Sequence, residues 1–220
     1  MTFKAVFWDF GGVMTTSPFE AFRRFERENG LPQDFLRGIN ATNPDNNAWA
    51  RFERSEIDLD AFDREFEAES RAAGYPVPGR KVIELLGGDL RPEMVAALKR
   101  IRERYRVACI TNNVRAGQGP SMHTSAARAQ EIVAVMALFE HVVESSKLGM
   151  RKPDPRIYLH ACELVGVAPQ EVVYLDDLGI NLKPAKELGM ATVKVVEPRA
   201  ALQQLGELLG MNLIEETVAG

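Results

Sequence analysis

The stretch from Phe3 to Thr16, FKAVFWDFGGVMTT, decides the fold: an apolar strand runs into Asp9 and, two residues later, into Gly11 and Gly12. A carboxylate at the carboxyl end of a buried strand has to be met by a metal, a cation or aimed amides. Left unpaired there, it costs several kcal/mol. Asp9 is therefore the first candidate for chemistry. The two glycines permit backbone angles and close approaches that a side chain blocks, so a ligand has room on the main chain just past the acid. A strand ending in an Asx-type turn fits the same letters. Later stretches separate the two readings.

Outward from Thr16 the pattern turns helical, with Ser17 as N-cap and Pro18 at the first helical position. Phe19, Phe22 and Phe25 recur every third residue in a helix that ends near Gly30. Further helices are expected over about 32–39, 44–54 and 58–73. Seven of the eleven phenylalanines lie between Phe19 and Phe66, which points to a small aromatic core within this segment. GYPVPGR, 74–80, reads as a linker, and Gly87 with Gly88 makes a second break after a short apolar helix.

From Asp89 onward, helices at about 92–104, 124–138, 155–165, 178–188 and 199–209 alternate with strands. The strands are RVACIT (106–111), HVVES (141–145), EVVYLDD (171–177) and ATVKVV (191–196). That alternation predicts an α/β fold, a Rossmann-like doubly wound parallel sheet covered on both faces. Asp9, Thr111, Asp176 and Asp177 then share the carboxyl edge, where open sheets of this kind bind ligands. Residues 1–16 and 89–220 are expected to form the core domain, and 17–88 a helical cap inserted after the first strand.

Composition excludes several classes. The 220 residues are 45% hydrophobic and 26% charged, with a net charge of -4 and basic residues scattered among acids, so there is no footprint for nucleic acid. No apolar run approaches the roughly 20 residues of a membrane span, and the amino terminus does not read as a signal peptide. Cys109 and Cys162 lack metal-ligand spacing and read as reduced, buried thiols of a cytoplasmic protein. A homodimer is left open.

DFGGV (9–13), TNN (111–113), RKPDP (151–155) and YLDDLGINLKPA (174–185) together resemble the four motifs of the haloacid dehalogenase-like hydrolase superfamily. The last two motifs and TNN are similar to the amino-terminal phosphatase domain of soluble epoxide hydrolase. The resemblance implies that Asp9 is a nucleophile forming an aspartyl-phosphate. It implies Mg2+ held by Asp9, the Gly11 carbonyl and a motif-four acid, with Asp177 as the direct ligand and Asp176 behind it or sharing the task. It further implies that Thr111 hydrogen-bonds a phosphoryl oxygen, that Gly12 contributes to the substrate site and Asn112 orients substrate or the Thr111 loop, that Lys152 offsets the charge, and that Asn181 steadies the metal-binding acids. Lys147 is a rival to Lys152 without the flanking pattern. His123, His141 and His160 read as structural or exposed. Trp49, Arg51 and Arg54 could face a substrate, although a cap core with a solvated face accounts for them equally well.

The first motif departs from the family pattern. Most phosphatases of this superfamily carry a second acid two residues after the nucleophile, where this chain has Gly11. General acid-base catalysis is typically about 10²- to 10⁴-fold, so its loss weakens a phosphatase without abolishing it. Three functions follow: a phosphomonoesterase acting on a small phosphorylated metabolite, a hydrolase that uses the same ester chemistry on a carbon–halogen bond, or a non-catalytic module that binds a phosphoryl ligand. The paired acids Asp176 and Asp177 argue against the second.

Overall fold

The computed structural model describes residues 2–113 and 126–214. Strands β1 (Ala5–Trp8), β2 (Arg106–Thr111), β3 (His141–Glu144), β4 (Val172–Asp176) and β5 (Ala191–Lys194) form one parallel sheet in the order β3-β2-β1-β4-β5. Between β1 and β2 come α1 (Pro18–Glu28), α2 (Phe35–Ala41), α3 (Ala48–Glu53), α4 (Leu59–Ala72), α5 (Gly79–Glu84) and α6 (Pro92–Ile101). Next are α7 (Ala126–Met136) before β3, α8 (Ser145–Leu148) and α9 (Pro155–Val165) before β4, α10 (Gly179–Glu187) before β5, and finally α11 (Pro198–Leu209).

Strand alternation sends neighbouring side chains to opposite faces. Val6, Trp8, Val107, Cys109, Val173 and Leu175 pack with Met94 and Leu98 of α6 and Leu202 and Leu205 of α11. Ala5, Phe7, Ala108, Ile110, Val172 and Tyr174 pack with Ile157 and Ala161 of α9 and Leu182 and Ala185 of α10. Burial on both faces is why these strands read as continuous apolar runs. The central position of β1 puts Asp9 in the middle of the carboxyl edge, one residue past the last ladder pair, where its N–H still donates to Leu175 O at 2.8 Å.

Helices α1–α5 pack a separate apolar cluster that includes Phe22, Leu36, Phe52, Phe62 and Phe66, with Phe52 stacked on Phe62 at 4.5 Å. Three boundaries differ from expectation, each for a local reason. Helix α2 starts at Phe35 rather than 32 because buried Glu26 accepts from the N–H groups of Asp34 and Leu36 at 2.9 and 3.0 Å, capping it from α1. Helix α3 starts at Ala48 rather than 44 because Asn47 is its N-cap, accepting from Ala50 N at 2.8 Å. The stretch 74–80 is not all linker: α5 begins at Gly79, where a Cβ would lie 2.9 Å from both the Phe62 ring and Asp63 Cα, so glycine lets α5 close onto α4.

Leaving and returning, the chain passes through two adjoining segments. Thr15 pairs antiparallel with Leu90, Thr16 N donates to Asp89 O at 2.8 Å, and Arg91 N donates to Met14 O at 2.9 Å. Three strand ends also differ from the sequence reading, with β5 stopping at Lys194 rather than 196. β3 stops at Glu144, and the next four residues form α8 instead of a loop. β4 stops at Asp176 rather than Asp177. The expected helix start near 124 and His123 lie outside the described residues. Among the described residues no helix is long and apolar enough to cross a membrane.

Candidate active site

Lys152 is the hub of the carboxyl edge. Its ammonium lies 2.8 Å from Asp9 Oδ1 and 2.8 Å from Asp176 Oδ2, and its side chain is 1% exposed. The turn that carries it, between α8 and α9, is clamped by Asn112. Lys152 N donates to Asn112 Oδ1 at 2.9 Å, and Asn112 Nδ2 donates to Lys152 O at 3.0 Å. The sequence reading has Asn112 orient substrate or the Thr111 loop; in the structure its side-chain amide holds the Lys152 peptide.

The two motif-four acids have different surroundings. Asp176, the last residue of β4, is fully buried and receives Tyr174 Oη at 2.5 Å, Asn181 Nδ2 at 3.1 Å on both oxygens, and Leu178 N at 2.8 Å, besides Lys152. Asp177 lies past the strand end, free of the alternation that would point it away from its neighbour. Its carboxylate rests over the Cα of Gly12: a Cβ built there would fall 2.3 Å from Asp177 Oδ2, and Gly12 has φ +79°. One ligand atom from each of Asp9, Asp176 and Asp177 lies within 4.8 Å of the others.

That cluster sets three carboxylates against one ammonium. Burial pushes Asp9 well above the usual carboxylate range; Lys152 offsets this in part, and the charges of Asp176 and Asp177 add to it. Asp177 is pushed up to about 6, by burial first and then by Asp176. For Lys152 burial alone would lower the ammonium, but Asp176 and Asp9 together outweigh it and hold the proton on. An excess of buried oxygen donors with mutually raised acids is the chemistry of a site for a hard divalent cation, so the residues present fit magnesium.

The remaining candidates fall into place by geometry. Thr111 is buried at the end of β2. Gly11 is exposed, and a Cβ there would meet nothing within 4 Å. The Gly12 N–H, expected to serve substrate, donates to Thr15 Oγ1 at 3.4 Å. Lys147 is not in the cluster; it pairs with Glu144 at the surface. Trp49 packs edge-on to Phe62, Arg51 pairs with Glu65 at 2.6 Å, and Arg54 pairs with Glu56 at 2.6 Å, so these three serve their own segment.

Three residues at the site escaped the sequence reading. Tyr174 was visible in YLDD, since two positions before Asp176 is the same strand face. Arg151 stands in RKPDP as a flank of Lys152, with nothing in the letters to give it a partner. Glu53 gave no signal at all. It reaches from the end of α3 to Arg151, Oε2 to Nε 2.5 Å, and to Asn112 Nδ2 at 3.4 Å. Burial pushes its carboxyl up, an effect Arg151 partly offsets.

Four motifs on one sheet edge, with this cluster between them, agree with the match of residues 3–189 to the family model "haloacid dehalogenase-like hydrolase". The chain belongs to that family. Mouse acyl-CoA dehydrogenase family member 10 is 34% identical over 96% of this chain and 20% of its own length. Mouse bifunctional epoxide hydrolase 2 is 29% identical over 98% of this chain and 40% of its own length. The haloacid dehalogenase-like chain thus spans less than half of each of these two relatives. A sesquiterpene phosphatase of Aspergillus oryzae is 26% identical over 95% of this chain and 98% of its own length. A haloacid dehalogenase-family enzyme of Bacteroides thetaiotaomicron, solved with magnesium and inorganic phosphate, shares the fold at TM-score 0.54 and 23% identity over 87% of this chain and 93% of its own.

Proposed function

We propose that the chain is a magnesium-dependent phosphomonoesterase for a small phosphorylated metabolite. The observation that carries this reading is the buried Lys152 ammonium, 2.8 Å from both Asp9 and Asp176 with Asp177 in the same cluster. Asp9, Asp177 and the Gly11 carbonyl would hold the ion, while Asp176 is kept by its protein donors as the counter-charge of Lys152. When bound, magnesium supplies the positive charge that lets a phosphoryl dianion approach a carboxylate.

Asp9 attacks phosphorus; the new Asp9–phosphorus bond forms as the bond to the leaving oxygen breaks. Water then cleaves the acyl phosphate and restores the carboxylate. Lys152 remains protonated throughout and offsets charge on Asp9 and on the phosphoryl oxygens. The Thr111 hydroxyl, at the end of the neighbouring strand, donates to one of those oxygens. Asn112 fixes the Lys152 peptide, and Asn181 fixes Asp176. Gly11 brings no proton donor, so esters whose leaving oxygen is stable as an anion react fastest. The helices of residues 17–88 act as a cap over this edge and select the substrate. The relatives add weight, since one full-length relative carries a phosphatase name.

The test is a panel of phosphate esters with and without magnesium. Turnover is expected with the ion, faster on aryl than on alkyl esters, and abolished by Asp9→Asn. Binding of inorganic phosphate with no turnover on any ester would instead make the chain a phosphoryl-binding module.

A further inference from the structure

Glu53 belongs to the inserted helices, yet its carboxylate is buried against the loop that carries Lys152. It lies 2.5 Å from Arg151, the residue immediately before Lys152, and 3.4 Å from Asn112 Nδ2. Both neighbours act on one peptide. Asn112 donates to Lys152 O and accepts from Lys152 N, and Arg151 is covalently joined to that N. An ionised carboxylate only accepts, so it demands the NH2 end of the Asn112 amide, which leaves Oδ1 for the Lys152 N–H. Arg151 also donates through Nη1 to Pro44 O at 3.0 Å, and Ser55 Oγ donates to Ser146 O at 2.9 Å, so the seam is tied on either side of Glu53. Apolar residues could hold two surfaces together at less electrostatic cost, and a buried ion pair is weak evidence for stability alone.

We propose that Glu53 is a positioning residue for Lys152: through Arg151 and Asn112 it makes the placement of the ammonium between Asp9 and Asp176 depend on docking of the inserted helices. What Lys152 does there rests on the phosphatase reading above; where Lys152 sits does not. Glu53→Gln keeps the shape, removes the charge facing Arg151, and can present its own NH2 to the Asn112 amide.

Two measurements test the proposal. The first is amine acylation of the folded, metal-free chain, followed residue by residue by mass spectrometry. Lys152 is expected to be protected in the parent and labelled at least tenfold faster in Glu53→Gln, with exposed Lys147 unchanged as control and Cys109 still protected from thiol reagents. The second is aryl-phosphate turnover, in which kcat is expected to fall on the order of 10- to 100-fold with KM within about threefold, and Glu53→Asp to recover part of the loss. Glu53→Gln/Arg151→Gln, which removes both charges, is expected to lose no more than either single variant, since the residues act as one unit. Unchanged Lys152 labelling in folded Glu53→Gln overturns the proposal. So does a fall in kcat matched by labelling of Cys109, which reports loosening of the whole core. If the parent turns over no ester, the phosphatase reading fails while the labelling arm still decides this one.

Discussion

Replacing Gly12 with Ala should spoil metal binding far more than it spoils the fold. The new Cβ would fall 2.3 Å from Asp177 Oδ2 and 2.6 Å from its Cγ, where ordinary contact is 3.4–4 Å, so the carboxylate has to retreat by about 1 Å. An aspartate side chain can do that at small cost to packing. What the fold does lose is conformational: at φ +79° an alanine costs about 1–2 kcal/mol more than glycine. For a chain of this size each kcal/mol moves Tm by about 2–4 °C, so a fall of about 2–8 °C is expected. Magnesium tolerates far less, because its ligands must sit in near-octahedral geometry at about 2.0–2.1 Å. A ligand displaced by about 1 Å is lost, and affinity should drop on the order of 10- to 100-fold. Gly11→Ala is the matched control. Its Cβ meets nothing within 4 Å, so stability should stay within about 0.5 kcal/mol and magnesium affinity should be kept. Thermal unfolding with and without the ion, together with calorimetric titration, reads both quantities. A Gly12→Ala chain that binds magnesium like the parent would refute the placement of Asp177 at the metal; so would Gly11→Ala losing as much affinity.

Further outcomes follow from the same cluster. Asp177, raised to about 6, binds its proton more tightly folded than unfolded, where an aspartate sits near ~3.9. Its contribution to metal-free stability is therefore fully present at the lowest pH and is lost as pH rises through about 6, whereas magnesium affinity should rise over the same interval; calorimetry across pH 5–8 giving a flat affinity would count against it. Tyr174→Phe removes a 2.5 Å hydrogen bond to Asp176 and should cost about 1–3 kcal/mol, read by denaturant unfolding, while leaving magnesium affinity within a few-fold. A tenfold loss of affinity there would make Asp176 a direct ligand. Gly11→Asp should raise turnover of alkyl phosphates relative to aryl phosphates, with a ceiling of about 10²- to 10⁴-fold. No gain in a folded variant would mean that proton supply to the leaving oxygen does not limit this chain.

The sheet was legible because its strands are buried on both faces, so that AVFW, VACI and VVYL read as apolar runs separated by helix-length amphipathic segments. Ser17 and Pro18 announced α1, and Asp154 with Pro155 marks α9 in the same way, the Asp154 side chain accepting from Arg156 N at 3.0 Å. The start of α2 was hidden because its cap comes from another element, Glu26 of α1, whereas the start of α3 was misplaced although its cap, Asn47, is local. The site followed a similar division. Asp9, Thr111, Lys152 and Asp176 stand at strand ends or in turns that sequence pattern can place. The contrast between Asp176 and Asp177 depends on where β4 ends, a matter of one residue that pattern does not resolve. Glu53 was invisible for a stronger reason. At the end of a short helix, just before Arg54, Ser55 and Glu56, a glutamate looks solvated, and only the packing of α3 against the α8 region turns it inward.

The two glycines after Asp9, alike as letters, carry opposite physical demands. Gly12 is constrained: its backbone is left-handed, and a methyl group there would displace the Asp177 carboxylate. Gly11 is exposed, has an ordinary φ, and would hold a Cβ in open space. The fold therefore does not forbid an acid at position 11, and steric necessity cannot explain the glycine there. What the open position leaves, beside the nearly sealed Asp9, is room for the departing group of the proposed reaction. Installing Asp at 11 perturbs chemistry with little perturbation of structure, so a null result from that variant would bear on mechanism rather than on folding.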